Sequence, residues 1–232
     1  MQTSLFLVPN FIGEFSKDYL PTRTLNHIYN IKHFIVEREK TSRAFLKAIQ
    51  HPTPQNDFKF VELDKHNNYA GFKAFFDQNI GKHSIGVLSE AGLPAIADPG
   101  SEVVKYAHKK GIKVVPLAGS SSIFLALMAS GMDGQNFAFN GYLPIDARER
   151  VQKLKELETR ARKASQIFME APYRNNQFLD FLIKNLQNDT TLCVAVDIEK
   201  EGKETIISKQ VKLWKSKEIE LHKKPCIFII KG

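Results

Sequence analysis

Ser84-Ile85-Gly86-Val87-Leu88 runs directly into Ser89-Glu90-Ala91-Gly92-Leu93-Pro94-Ala95-Ile96-Ala97-Asp98-Pro99-Gly100, and Glu102 to Lys110 follows with helical spacing. A short apolar run, a loop of small residues and an amphipathic helix make one strand-loop-helix unit. The same alternation extends outward in both directions. Towards the N-terminus it predicts strands at Leu5 to Val8, His33 to Val36 and Lys59 to Glu62, with helices at Thr41 to Ile49 and Tyr69 to Asn79. A fifth strand falls at Lys113 to Pro116. The second half restarts with a helix from about Ser121 to Ala129, opened by Gly119-Ser120-Ser121-Ser122, whose hydroxyls can cap free amides. Strands follow near Phe137, at Gln166 to Glu170, Leu192 to Asp197, Thr205 to Ile207 and Cys226 to Ile230, with helices at Ala147 to Arg160, Asn175 to Leu186 and Val211 to Lys217. Two α/β domains result, 1–117 with a mainly parallel sheet and 118–232 with a mixed one, because the close spacing around Gly202 reads as a hairpin.

The 232 residues, 43% hydrophobic and 25% charged, suit ordered globular domains rather than a disordered or fibrous chain. The longest uncharged stretch, Val114 to Met132, is broken by Pro116, Gly119 and three serines, so a membrane span is not expected. The start, Met1 to Gly13, lacks the basic residues of a signal peptide, and a cytoplasmic site is expected. Cys193 and Cys226 both lie in apolar runs and read as buried free thiols. With no CxxC and no HxxxH, metal ligation has no motif. The net charge of +8 leaves two readings open, an anionic partner such as nucleic acid or a mildly basic solvated surface. Residues 1–116 hold 15 basic and 11 acidic side chains and 117–232 hold 18 and 14, so each half carries +4 and there is no basic tail.

Familiar signatures are absent. A P-loop needs glycine at position 76, which is Phe76; Gly119-Ser120-Ser121-Ser122-Ile123 lacks the last glycine of a nucleophile elbow; GxGxxG does not occur. The loop Ser89 to Gly100 remains. It is either a rigid connector or a ligand loop, and its length without secondary structure favours the ligand loop.

Four motifs in order carry a resemblance: Ser89-Glu90-Ala91-Gly92-Leu93-Pro94 with Asp98-Pro99-Gly100; Val114-Val115-Pro116-Leu117-Ala118-Gly119-Ser120-Ser121; Phe139-Asn140-Gly141-Tyr142-Leu143-Pro144; and Phe168-Met169-Glu170-Ala171-Pro172-Tyr173-Arg174. Together they resemble the tetrapyrrole methylase superfamily over nearly the whole chain. Their order and spacing are similar to the branch that methylates a cytidine ribose 2′-oxygen of small-subunit ribosomal RNA. The resemblance implies S-adenosylmethionine as methyl donor, held in a cleft between two α/β domains, and a homodimer. It implies cofactor contacts from Ile12 and Gly13, from Ser89, Glu90, Ala91, Gly92, Leu93 and Ile96, from Ser121 and Ser122, and from Tyr142 and Met169. Departures fall in the first half. Phe11-Ile12-Gly13-Glu14 stands where the family has Pro-Ile-Gly-Asn, and Val36-Glu37-Arg38-Glu39 replaces an acidic Glu-Asp-Thr-Arg element.

A ribose hydroxyl is a weak nucleophile, so a base or a nearby cation is expected beside it. Lys200, in Asp197-Ile198-Glu199-Lys200, resembles the family's acidic-x-x-Lys element and can polarise the acceptor; Glu170 and Arg174 can orient it. The alternative for each is a surface ion pair. Arg148 and Arg150, on a helix that also carries Lys153, Lys155, Arg160, Arg162 and Lys163, are candidate phosphate contacts, or members of a solvated mixed-charge face. His66 and Asn67 match a family histidine patch and are candidate substrate contacts, or loop residues before a helix. Tyr142 and Tyr173 can stack on a base, line the cofactor or pack. Besides a ribosomal RNA methyltransferase, two readings stand: a methyltransferase for a tetrapyrrole-like small molecule or a protein side chain, and a non-catalytic cofactor- or RNA-binding module.

Overall fold

The five apolar runs of the first half become five parallel strands: β1 (Ser4–Val8), β2 (His33–Val36), β3 (Lys59–Glu62), β4 (Ile85–Leu88) and β5 (Lys113–Pro116), in the order β3-β2-β4-β1-β5. The structure is a computed structural model that describes residues 3–63, 70–215 and 218–232. Its contacts divide the chain into two units, Met1–Ser121 and Ser122–Gly232, where the sequence placed the division after 117.

Alternation along each strand of the first unit assigns side chains to two faces. Val8, Phe34, Val36 and Leu88 point to one face, where α1 (Thr22–Ile28) supplies Ile28 and α2 (Glu39–Ala48) supplies Phe45 and Leu46. Leu5, Ile35, Ile85 and Val87 point to the other, where α3 (Ala70–Asn79) supplies Phe72 and Phe76 and α4 (Gly100–Lys109) supplies Val103 and Ala107. The helices change face because the chain steps one way from β1 through β2 to β3 and the other way through β4 to β5, and right-handed crossovers then lie on opposite sides. Neighbouring strands β2 and β4 therefore send their connections apart, which opens a crevice at their carboxyl ends. Within the sheet Gly86 is required, since a Cβ there would lie 2.7 Å from Cε1 of the buried Phe34.

The second unit has strands β6 (Phe137–Tyr142), β7 (Ser165–Met169), β8 (Thr191–Val196), β9 (Thr205–Gln210) and β10 (Cys226–Lys231), ordered β6-β7-β10-β8-β9. Among the described residues of this unit only β6 and β7 pair in parallel, and the β8–β9 pair is the expected hairpin. Helices α6 (Ala147–Ala161) and α7 (Asn175–Asn185) cover one face through Leu154, Leu157, Phe178 and Leu182 against Phe168, Val194 and Phe228. Asp146 caps α6, accepting from the amides of Arg148 (2.9 Å) and Glu149 (3.0 Å). Helix α5 (Ser122–Ser130) packs on β8, β9 and β10.

One sequence expectation fails. Of the helix expected over 211–217, the described residues 211–215 form instead a three-residue 3-10 turn, Val211–Leu213, after which Trp214 returns to extended backbone (φ −78°, ψ 132°); 216 and 217 lie outside the described residues. The Val211 and Lys212 amides already donate to Thr190 O and Asn188 O, so the first turn is spent on long-range bonds. The Trp214 ring then anchors the following chain in the core. Cys193 and Cys226 are buried free thiols, and burial pushes both pKa values up to about 12. Among the described residues no helix is long and apolar enough to cross a membrane.

Candidate active site

In the first unit the connections leaving β1, β4 and β5 meet at the carboxyl edge of the sheet. Asn10, buried two residues past β1, donates from Nδ2 to Ser89 O (2.8 Å) and Glu90 O (3.1 Å), while its Oδ1 accepts from the Phe11 amide (2.8 Å). Its own amide donates to Gly92 O (2.8 Å), an isolated antiparallel bridge. Gly92 takes φ +67°, and a Cβ there would sit 3.3 Å from Ile12 Cγ2 and 3.9 Å from Ser120 O. Ile12, Gly92 and Ser120 are thus gathered at one point. Gly119 closes the same corner, since a Cβ on it would overlap Pro9.

The loop beyond Gly92 is held in costly backbone conformations. Ala95 (φ +69°) and Ala97 (φ +63°) are left-handed without being glycine, a cost of about 1–3 kcal/mol each that marks functional sites. Asp98 Oδ1 fixes the turn by accepting from the Ala95 (2.9 Å) and Gly100 (2.6 Å) amides. Ser89 is buried with its hydroxyl donating to Ala91 O (3.2 Å), so it braces the loop from inside. Ala91 and Ile96 are exposed and Leu93 and Gly13 half-buried, which leaves a small, largely apolar surface over the backbone.

Carboxylates flank this loop. The Glu90 amide donates to Glu37 Oε1 (3.0 Å), and the Glu90 carboxylate accepts from the Thr41 hydroxyl (2.5 Å). Asn10, Glu37 and Thr41 were not among the candidate site residues of the sequence. Asn10 carried one signal, a polar residue directly following a buried strand.

In the second unit β7 and β8 are both antiparallel to β10, so β6, β7 and β8 end on one edge. Tyr142 pairs with Met169 beyond an irregularity at Asn140 and Gly141, the latter at φ +65°. Glu170 is buried and its Oε1 accepts from its neighbour's amide, Ala171 N (2.6 Å), and from Arg174 Nη2 (2.5 Å). The Arg174 guanidinium lies 5.2 Å over the Tyr173 ring, and that ion pair raises its pKa further above neutrality. Lys200 Nζ is held at 2.6 Å by the buried Asp197 carboxylate. Asp197 (φ +51°) and Glu199 (φ +62°) are both left-handed, and the Asp197 amide donates to Pro225 O. Lys223 N to Pro172 O and Asn175 Nδ2 to Lys224 O lace the β7 connection to the segment that leads into β10.

The remaining candidates scatter. Arg148 is exposed, whereas Arg150 stacks its guanidinium 4.6 Å over Phe181 and so ties α6 to α7. Glu156 pairs with both Lys153 (3.0 Å) and Arg160 (2.5 Å), which neutralises part of the basic helix. Ser121 and Ser122 are half-buried at the junction of the units. His66 and Asn67 lie outside the described residues.

A ribosomal RNA small subunit methyltransferase I of Bacillus subtilis is 30% identical over 203 residues, 87% of this chain and 66% of the relative. One from Vibrio cholerae is 30% identical over 196 residues, 84% of this chain and 65% of the relative, and one from Halalkalibacterium halodurans is 40% identical over 130 residues, 56% and 44%. The chain is thus similar in sequence to ribosomal RNA small subunit methyltransferases I. It spans less than two thirds of the length of each of these three relatives. No protein-family model matches. The fold is that of tetrapyrrole methylases. A uroporphyrin III C-methyltransferase from Thermus thermophilus superimposes with a TM-score of 0.60 over 99% of this chain and 97% of its own, at 14% identity.

Proposed function

We propose that this chain is an S-adenosylmethionine-dependent methyltransferase acting on a ribose 2′-hydroxyl of small-subunit ribosomal RNA. The observation that carries this is the laced loop at the carboxyl edge of the first sheet, Asn10 to Ser89, Glu90 and Gly92, in a chain similar in sequence to these methyltransferases. The loop fits the cofactor on two counts. Gly92 leaves the space that a Cβ would take beside Ile12, and the Glu37 and Glu90 carboxylates offer counter-charge to a sulfonium or an ammonium. When bound, S-adenosylmethionine supplies an electrophilic methyl group. Gly13, Ser89, Ala91, Leu93, Ile96 and Ser121 are the further contacts proposed in the first unit, and Ser122, Tyr142 and Met169 in the second.

Methyl transfer to oxygen asks the protein chiefly for alignment and exclusion of water. In this reading Lys200 donates a hydrogen bond from Nζ to the acceptor oxygen as its negative charge grows, and Asp197 holds the ammonium in place. Arg174, fixed by Glu170, orients the substrate. Arg148 and Arg150 contact phosphates, with His66 and Asn67 as further substrate contacts. The protein acts as a cytoplasmic homodimer, which sedimentation tests directly.

The deciding experiment is transfer of tritium from labelled cofactor into small ribosomal subunits taken from a strain that lacks this protein. Label in ribose is the expected result. Cofactor binding without transfer to any RNA would refute the acceptor, and absence of cofactor binding would refute the enzyme.

A further inference from the structure

The opposite edge of the first sheet carries the opposite charge. Lys32 precedes and His33 opens β2, Lys59 opens β3, Lys82 and His83 precede β4, and Lys113 opens β5; the four lysines and His83 are exposed. Register places them side by side, with His33 beside Lys59 on one flank and beside Ile85, two residues after His83, on the other. The His33 and His83 rings stack at 4.4 Å and 10°. Burial lowers the His33 pKa, and the charges of His83, Lys59 and Lys32 lower it further, so the cluster acts as a positive field. Asp57 lies two residues before Lys59, and Asp77, near the end of α3, is engaged by Tyr106 (2.7 Å) and Lys110 (3.1 Å).

Helix dipoles do not account for all of this arrangement. A macrodipole favours cations at the last turn of a helix, and Lys32, Lys82 and Lys113 follow the ends of α1, α3 and α4 by three or four residues, whereas Lys59 follows the end of α2 by 11. The acids sit at the other ends of the same strands: Glu37 after β2, Glu62 closing β3 and Glu90 after β4. At a strand spacing of about 4.8 Å, Lys59 to Lys113 spans roughly 19 Å, with cations at the starts of β3, β2, β4 and β5 and Ser4 at the start of β1.

We propose that this amino edge, formed by Lys32, Lys59, Lys82 and Lys113 with the His33–His83 stack, is a second RNA surface that grips substrate phosphates at the end of the sheet remote from the cofactor loop. The proposal rests on the RNA methyltransferase reading above. Phosphate contacts of this type position an RNA without reading its bases. They leave a signature in salt dependence, about 0.7 in the slope of log affinity against log salt for each single-strand phosphate neutralised.

The test compares Lys32→Gln/Lys59→Gln/Lys82→Gln with the equal charge change Lys184→Gln/Lys212→Gln/Lys215→Gln, all in the full chain. A labelled single-stranded RNA is titrated across a potassium chloride series, with calorimetric cofactor binding and circular dichroism to check folding. The edge variant is expected to lose about 2 from the slope, about 100-fold in affinity near 0.1 M salt, with cofactor affinity unchanged. Equal slopes for the two variants, with methyl transfer by the wild type intact, overturn the edge and leave the enzyme standing. Absent cofactor binding, with RNA affinity still mapping to the edge, overturns the enzyme and leaves the edge. An unchanged RNA isotherm with lost binding to phosphatidylserine vesicles would assign the edge to lipid and also overturn the proposal.

Discussion

Asn10→Asp tests the cofactor loop with one exchanged atom. The carboxylate keeps an oxygen for the Phe11 amide, but it presents a second oxygen where Nδ2 donated to Ser89 O and Glu90 O. Two buried or half-buried carbonyls lose their donor and face a negative charge. Each stranded acceptor costs about 1–3 kcal/mol, so the loop loses about 3 kcal/mol or more. Asn10→Ala strands the same carbonyls without the charge, but also the buried Phe11 amide, and is expected to lose about 3 kcal/mol or more as well.

The loss appears in cofactor affinity if the loop opens locally rather than with the whole unit. At 1.4 kcal/mol per tenfold, calorimetry is expected to find S-adenosylmethionine bound about 100-fold more weakly for both Asn10→Asp and Asn10→Ala. Glu158→Ala is the control. It strands the Gln187 amide and the Thr190 hydroxyl, each now 2.7 Å from Glu158 Oε1, at similar cost in the second unit. Both Asn10 variants binding within twofold of wild type, with folded circular dichroism spectra, would refute the assignment of this loop.

Three further outcomes are expected. Gly92→Val forces a β-branched side chain into φ +67° and against Ile12, so cofactor affinity falls by at least tenfold; unchanged calorimetric affinity would move the site elsewhere. Lys200→Ala is expected to lower turnover about 100-fold, as loss of an oxyanion donor does, with the cofactor Kd within twofold. His51 is held neutral, Nδ1 accepting from the Thr53 amide and Nε2 bonding Ile28 O, and burial lowers its pKa, with Lys32 adding to the effect against two backbone bonds that raise it. Its contribution is therefore full above the unfolded value of about 6.5 and is lost as pH falls through its folded value; urea unfolding across that range should show an acid limb that His51→Gln flattens.

Much of the fold was legible because short apolar runs and amphipathic helices alternate cleanly; His33–Val36, Lys59–Glu62 and Lys113–Pro116 carry the bounds read from sequence. Helix α1 was not legible. It has seven residues, begins after Pro21 without a side-chain cap and buries only Thr24 and Ile28, so no apolar stripe announces it. Of the candidate site, Ser89 to Gly100 was legible as an over-long loop of small residues, while Asn10 was not. An Asn after a strand reads as a turn former, and its partners lie 79 and 80 residues away. Glu37 was noted only as a departure from a motif, because its bond to the Glu90 amide depends on β2 and β4 being neighbours, which strand order in the sequence does not reveal.

Charge shows the same gap between order along the chain and order in space. Counting by halves gives +4 and +4 and nothing to choose between a partner and a solvated surface. A parallel sheet sorts charge along its strands instead. Lys59 and Glu62 are three residues apart, yet they stand at opposite edges of the sheet, roughly 10 Å apart at about 3.3 Å per residue. Repeated over β2, β3 and β4, this separates an acidic carboxyl edge, suited to a cationic cofactor, from a basic amino edge, suited to phosphate. The two edges arise from one repeated strand pattern, so a substitution that neutralises the amino edge leaves the carboxyl edge chemically intact. That independence is what lets the RNA surface and the cofactor loop be tested separately.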